Sequence, residues 1–283
     1  MIVVTGATGK LGRLVIEGLL LRVPAAEITA AVRDPGKAAD FAERGVDVRR
    51  ADYDEPDTLD TAIEGADRVL LISSNNFQRS VAQHAAVIAA AKRADVDLLA
   101  YTSLWHADVT TALPAAPHRE TEPLIRAAGV PFTLLRNNLY TEQFAPQILQ
   151  AAATGTLIAT GQGRAASATH ADYAAAAVAV LTGDGHEGKV YELGGDASWS
   201  LLDLAAEISR AVGRDIVYQD VPPEQYRELL IAAGLPPIVA GAALDTRRAI
   251  AEGEFAGTPG DLSALIGRPT TPLADAVAAF LKN

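Results

Sequence analysis

Apolar residues along the chain fall into short runs, separated by stretches where they recur every three or four positions. The runs are Ile2–Val4, Glu27–Val32, Val46–Arg50, Arg68–Ile72, Leu98–Tyr101 and Phe132–Leu135. Their length and β-branched content predict buried strands. Between them lie helical patterns at Leu11–Leu21, Lys37–Arg44, Pro56–Glu64, Phe77–Arg93 and Pro117–Ala128. Pro56 starts one of these near N1, and Gly45, Gly65 and Gly129 close three. Strands alternating with helices of about 10–16 residues predict a parallel sheet covered on both faces. The right-handed crossover rule makes that sheet doubly wound.

The second half is less regular. Helices are predicted at Gln147–Ala153, Asp172–Thr182, Leu201–Val212 and Glu224–Ala233, and strands at Thr156–Thr160, Lys189–Leu193 and Ile216–Asp220. Thr271-Pro272 supplies an N-cap and an N1 proline for a last helix. There is no internal repeat and no linker of disordered composition. The expectation is a sheet domain over 1–145 and a smaller α/β lobe over 146–283 packed on it, with the option that part of the sheet returns from the second half.

Composition narrows the chemistry. The 283 residues include no cysteine, which excludes disulfides, thiolate metal sites and a cysteine nucleophile. Lys+Arg 24 against Asp+Glu 35 leaves −11, which argues against nucleic acid as a main partner. Apolar residues reach 49%, yet no uncharged stretch is long enough for a membrane span. The start lacks the basic region of a signal peptide, so cytoplasm is the expected compartment. The histidines at 84, 106, 118, 170 and 186 show no ligand spacing, and no metal is expected. Homodimerisation is expected only from its frequency among oligomers.

The strongest motif opens the chain: Thr5-Gly6-Ala7-Thr8-Gly9-Lys10-Leu11-Gly12, between a strand and a helix. That context marks a dinucleotide-binding turn, and with it a Rossmann fold. Gly6 permits the tight turn, Gly9 the approach of a pyrophosphate, and Gly12 close helix–strand packing. The helix N-terminus offers unpaired N–H groups and partial positive charge to phosphates. Arg33, at the end of the second strand, suits the 2′-phosphate of NADP rather than the free ribose of NAD, with Asp34 in the following turn. Lys10 either adds charge there or projects into water. Asp52 either accepts from the adenine amino group or belongs to the acidic turn Asp52–Asp57. Ser73-Ser74-Asn75, beyond the fourth strand, offers small side chains and N–H groups to a ribose.

After the fifth strand, Tyr101 to His106 offers the Ser103 hydroxyl, the Trp105 ring as stacking plate or packing residue, and the His106 imidazole. Gly161-Gln-Gly163-Arg-Ala-Ala166 matches G-x-G-x-x-A but lies too far before its helix. It reads as a loop, with Thr169 or Asp172 capping the helix. Gly194-Gly195-Asp196 either lines the acceptor side or turns the chain.

TGATGKLG, AVRDPGKA, LLISS, YTSLWHAD, TLLRNNLYTE and ASATHADYAAAA together resemble the NmrA-like branch of the atypical short-chain dehydrogenases. They are most similar to the bacterial type 2 NAD(P)H:quinone oxidoreductases, and the resemblance extends to HEGKVYELGGD and LIGRPTTPLADAV. It implies NADPH as donor, a quinone as acceptor, and cofactor contacts at Gly6 to Leu11, Arg33, Ser73 to Asn75 and the segment from Asn137 through Asn138 to Tyr140. Asn138 and Leu139 replace the family's usual glycine and aromatic residue.

The short-chain dehydrogenase pair Tyr-x-x-x-Lys is absent; His118 and Glu122 hold the corresponding places. Glutamate in the lysine's place raises a neighbouring acid's pKa, so simple carbonyl reduction is disfavoured. A quinone, whose hydroquinone anion is stabilised by its ring, needs no such pair. Ser103, His106, His118 and Tyr140 are the catalytic candidates, His118 as a proton donor. The resemblance leaves one alternative open, a non-enzymatic NADP-binding sensor. An epimerase of sugar nucleotides is disfavoured by the same missing pair.

Overall fold

The structure, a computed structural model, describes residues 1–74, 76 and 78–282. Asn75, and Phe77 at the expected start of a helix, lie outside the described residues.

In chain order the elements are β1 (Ile2–Thr5), α1 (Lys10–Leu20), β2 (Ile28–Val32), α2 (Ala39–Ala42), β3 (Asp47–Arg50), α3 (Pro56–Ile63), β4 (Arg68–Leu71), α4 (Ser80–Arg93), β5 (Leu98–Leu104), α5 (Ala116–Ala128) and β6 (Phe132–Asn137). There follow α6 (Ala145–Thr154), β7 (Thr156–Ala159), α7 (His170–Thr182), β8 (Lys189–Leu193), α8 (Leu201–Val212), β9 (Val217–Asp220), α9 (Pro223–Ala232), α10 (Pro237–Ala251), α11 (Asp261–Ile266) and α12 (Leu273–Lys282).

Seven parallel strands form the main sheet in the order β3-β2-β1-β4-β5-β6-β8. The order reverses about β1, as in a doubly wound Rossmann sheet. Alternate strand residues feed two cores. Val4, Ala30, Leu70, Ala100 and Leu135 pack beneath α1 and α7. Val3, Ala31, Val69, Leu99 and Leu134 pack on the opposite face, with Leu59 of α3, Val87 of α4 and Ile125 of α5. Helices α1 and α7 come close because position 18 carries no side chain: a Cβ there would lie 2.8 Å from Val178 Cγ2.

The chain returns to the sheet after residue 145. β8 pairs with β6, placing Leu193 beside Asn137, and α7 and α11 cover the same face. The remaining second-half elements build the lobe, where β7 pairs with β9 and Phe144, Trp199, Leu204 and Ile250 share a separate core.

The helix expected after β2 changes, the loop expected at Gly161–Ala166 and its cap are found as expected, and two helices are added. The helix expected over Lys37–Arg44 is a 3-10 turn at Pro35–Ala38 followed by a single α turn, because the Asp34 carboxylate accepts from Gly36 N–H and tightens the entry. The G-x-G-x-x-A stretch is a loop whose Gly163 sits against α10: a Cβ there would lie 2.2 Å from Ile250 O. Thr169 then caps α7 with Asp172 in a reciprocal capping box. α10 and α11 had no counterpart among the predicted elements.

Candidate active site

The carboxyl ends of β1, β2, β4, β5 and β6 converge on one edge of the sheet, and the glycine loop forms its centre. Gly6 is left-handed (φ 60°), which a side chain would strain. Gly9 N–H donates to Gly6 O at 2.9 Å, and Gly9 caps α1 in extended conformation. A Cβ at Gly12 would lie 2.4 Å from Gly6 O and 2.7 Å from Ala7 Cα. No side chain caps α1 and no acid occupies its first turn. Its N-terminal N–H groups and partial positive charge therefore face outward beside Thr8 and the exposed Lys10.

Arg33 stands exposed at the end of β2, with no hydrogen-bond or ion-pair partner among the described residues. Asp34 is turned into its own loop by the bond from Gly36 N–H, 3.1 Å. The cation is thus free and the neighbouring acid is occupied. Asp52 Oδ1 accepts from Asp54 N–H at 3.0 Å, closing the acidic turn on itself. Tyr53, overlooked in the sequence, lies under the glycine loop. Its hydroxyl bonds Ile72 O at 2.9 Å and Thr5 Oγ1 at 2.5 Å, and burial raises its pKa.

The Ser73–Ser74 loop corrects an expectation. Its backbone N–H groups are not free: Ser73 N–H donates to Thr102 Oγ1 and Ser74 N–H to His84 Nε2, each at 2.9 Å. Ser74 Oγ donates to Gln83 at 2.6 Å. Thr102, His84 and Gln83 thus hold Ser73 and Ser74 from behind.

Accepting from Ser74 leaves the proton of neutral His84 on Nδ1, where it donates to Thr121 Oγ1 at 2.9 Å. Tyr101 O–H donates to His118 Nδ1 at 2.8 Å. Burial pushes His84 down to about 3, aided by His118, and pushes His118 down to about 4. His118 is therefore neutral at pH 7 and holds no imidazolium proton to give.

Glu122, in the place of the dehydrogenase lysine, is equally occupied. Arg136 of β6 donates to both its oxygens, at 2.8 and 2.6 Å, and Ser103 Oγ donates to one at 2.7 Å. Arg136 also reaches Asp108 and Glu192, each at 2.8 Å. Burial opposes its charge, but bonding to Glu122 and Glu192 prevails and raises its pKa. His106 is left-handed (φ 46°), its N–H bonded to Glu192 at 2.9 Å. His106, Asp108 and Glu192 bring one ligand atom each within 4.8 Å of one another, but Arg136 already balances both carboxylates. Trp105 is a packing residue: it is buried, and its Nε1 donates to Glu254 O at 2.8 Å.

On the other face of β6, Asn137 is buried and its Nδ2 donates to Tyr140 Oη at 3.0 Å. Asn137 Oδ1 is enclosed without a hydrogen-bond donor. The Tyr140 ring stacks on His170 (4.2 Å, 14°), and burial pushes its hydroxyl up to about 12. Asn138 turns the other way: its Oδ1 accepts from Leu139 N–H and its Nδ2 donates to Phe255 O, tying the sheet edge to the lobe. Gly194 and Gly195 pack against Trp105 and Ser167 O, which makes them close-approach positions.

Residues 1–255 match the NmrA-like family. The chain belongs to the NmrA-like family. Along its length it is 44% identical to quinone oxidoreductase 2 of Escherichia coli over 279 residues, 98% of each chain. Among solved structures it superposes on that organism's NADPH-dependent quinone oxidoreductase complexed with NADPH, with a TM-score of 0.96 over all of both chains. The Citrobacter sp. triphenylmethane reductase complexed with NADP(H) is 38% identical, with a TM-score of 0.95 over 99% of this chain and 100% of the other. This NmrA-like chain is thus similar over its whole length to a quinone oxidoreductase and to a triphenylmethane reductase.

Proposed function

We propose that the chain is an NADPH-dependent quinone reductase. One observation carries the choice of acceptor: α5 holds no acid able to protonate an alkoxide. His118 is neutral and bonded to Tyr101, and Glu122 is consumed by Arg136 and Ser103. Hydride transfer is then productive only to an acceptor whose reduced anion is stabilised by its own conjugation.

The edge fits the cofactor. A Cβ at Gly12 would meet the backbone of Gly6 and Ala7, no side chain among the described residues caps the α1 N-terminus, and Arg33 after β2 has no partner among them. NADPH, when bound, supplies the hydride. The glycine loop and α1 hold its pyrophosphate, and Arg33 its 2′-phosphate. Ser73 and Ser74, fixed by Thr102 and His84, border the ribose. The enclosed Asn137 Oδ1 is a buried acceptor at this edge without a donor among the described residues, and a carboxamide N–H completes it. Tyr140, oriented by Asn137 and His170, borders the same position. The protein's main contribution is positioning. One hydride and one proton convert the quinone to hydroquinone, and the proton comes from solvent.

No helix among the described residues is long and apolar enough to cross a membrane. The reading extends to a cytoplasmic location and, on frequency alone, a homodimer. Oxidation of NADPH with and without a small benzoquinone tests it: quinone-dependent turnover supports it, and tight NADPH binding without turnover favours the sensor.

A further inference from the structure

The lobe carries a cavity of about 410 Å³ between α6 and the α9–α10 hairpin, within the size range of small-molecule sites. Its walls are mainly apolar, Leu139, Phe144, Leu230, Val239 and Ile250 among them, with the neutral polar side chains of Gln143, Gln147, Tyr226 and Thr246 between. It borders segments that leave the carboxyl edge of the sheet, since Leu139 follows Asn137 by two residues and Pro114 belongs to the segment after β5.

One charged side chain lines this cavity. Arg247 projects from α10 with its guanidinium 5.1 Å from the centre of the Phe144 ring. It has no carboxylate within ion-pair distance among the described residues. Its hydrogen-bond partner is Gln147 Oε1 at 3.0 Å, and Gln147 in turn donates to Tyr226 Oη. The acid closest in sequence, Asp245, is committed to Arg248 and to Leu113 N–H. A cation lining an apolar cavity without an anion is costly unless a ligand supplies one.

We propose that this cavity is an acceptor subsite that takes an apolar ring substituent ending in an anionic group, with Arg247 binding the anion. The substrate class becomes quinones bearing a carboxylate-terminated hydrocarbon arm. Aliphatic and aromatic walls hold the arm, and the planar guanidinium, braced by Gln147 and stacked on Phe144, pairs with both carboxylate oxygens. The proposal rests on the quinone reductase reading and names the specificity of that same site.

The test compares kcat/KM for a naphthoquinone carrying a short alkyl carboxylate with that for its methyl ester, in wild type, Arg247→Gln and Arg247→Lys. The wild-type acid-to-ester ratio is expected at about 10 or more, the size of a charge-assisted hydrogen bond. It should fall to about 1 in Arg247→Gln, stay partly retained in Arg247→Lys, and shrink with added salt in wild type. A ratio near 1 in wild type, or one that survives Arg247→Gln unchanged, overturns the proposal. Equilibrium binding of the same two compounds to the NADP+-loaded protein gives the same contrast without turnover. If neither compound is reduced but the acid still binds through Arg247, the quinone reading fails and the anionic subsite stands. If both are reduced at equal efficiency, the subsite fails and the quinone reading stands.

Discussion

Glu122 on α5 and Arg136 on β6 face each other through two hydrogen bonds, 2.8 and 2.6 Å, with both side chains 6% exposed. Arg136 is also the counter-charge of Asp108 and Glu192. Removing it leaves the buried Glu122 carboxylate unpaired, whereas the intact pair adds little net stability by itself. Arg136→Met is expected to lower the unfolding free energy by about 3 kcal/mol or more. Denaturant unfolding measures this, and a loss under 1 kcal/mol, about the value of a surface pair, contradicts it.

Gly12 tests the cradle. The obstructing atoms, Gly6 O and Ala7 Cα, are backbone and have no rotamer to escape into. Gly12→Ala should displace the loop and weaken NADPH binding by at least about 10-fold, roughly 1.4 kcal/mol, as read by cofactor titration. An unchanged Kd would mean that the loop does not carry the pyrophosphate.

Arg33 tests cofactor choice. Arg33→Ala should weaken NADPH binding by about 10-fold or more, the value of a charge-assisted contact, while NADH binding changes little. Titrating both cofactors against both proteins reads the ratio. Equal losses for the two cofactors would remove Arg33 from the 2′-phosphate.

The buried histidines predict a pH effect on stability. His84 and His118 titrate at about 3 and about 4 in the folded chain, against about 6.5 when unfolded. Below about pH 6.5 the unfolded chain therefore binds more protons, and stability falls as pH drops from there toward 4. Each histidine contributes a slope of about 1.4 kcal/mol per pH unit in that window. His118→Asn keeps an acceptor for Tyr101 without the titration and should flatten the slope by that amount. Unfolding measured between pH 6.5 and 4.5 checks it, and identical slopes would contradict the assignment.

Much of the sheet was legible because each strand is bounded by its own apolar run and a glycine or proline stop. β1 through β6 needed only local information, and so did the glycine loop and Arg33. The rest depends on topology. Arg136 meets Asp108, Glu122 and Glu192 because three strands and α5 bring them together, and no spacing in the chain announces that. Helix α10 was missed because Gly241 and a diffuse apolar pattern blur its period. Tyr53 looked like a turn residue, and only the closure of the loop after β3 beneath Gly6 places it at the site.

This edge delivers hydride to a conjugated acceptor without an acid on α5 for an alkoxide. NADPH oxidation should be measured with a benzoquinone and, in parallel, with a simple aliphatic ketone. The account predicts rapid oxidation with the quinone and none above background with the ketone. Comparable turnover of the ketone, or tight NADPH binding with no quinone turnover, would contradict it.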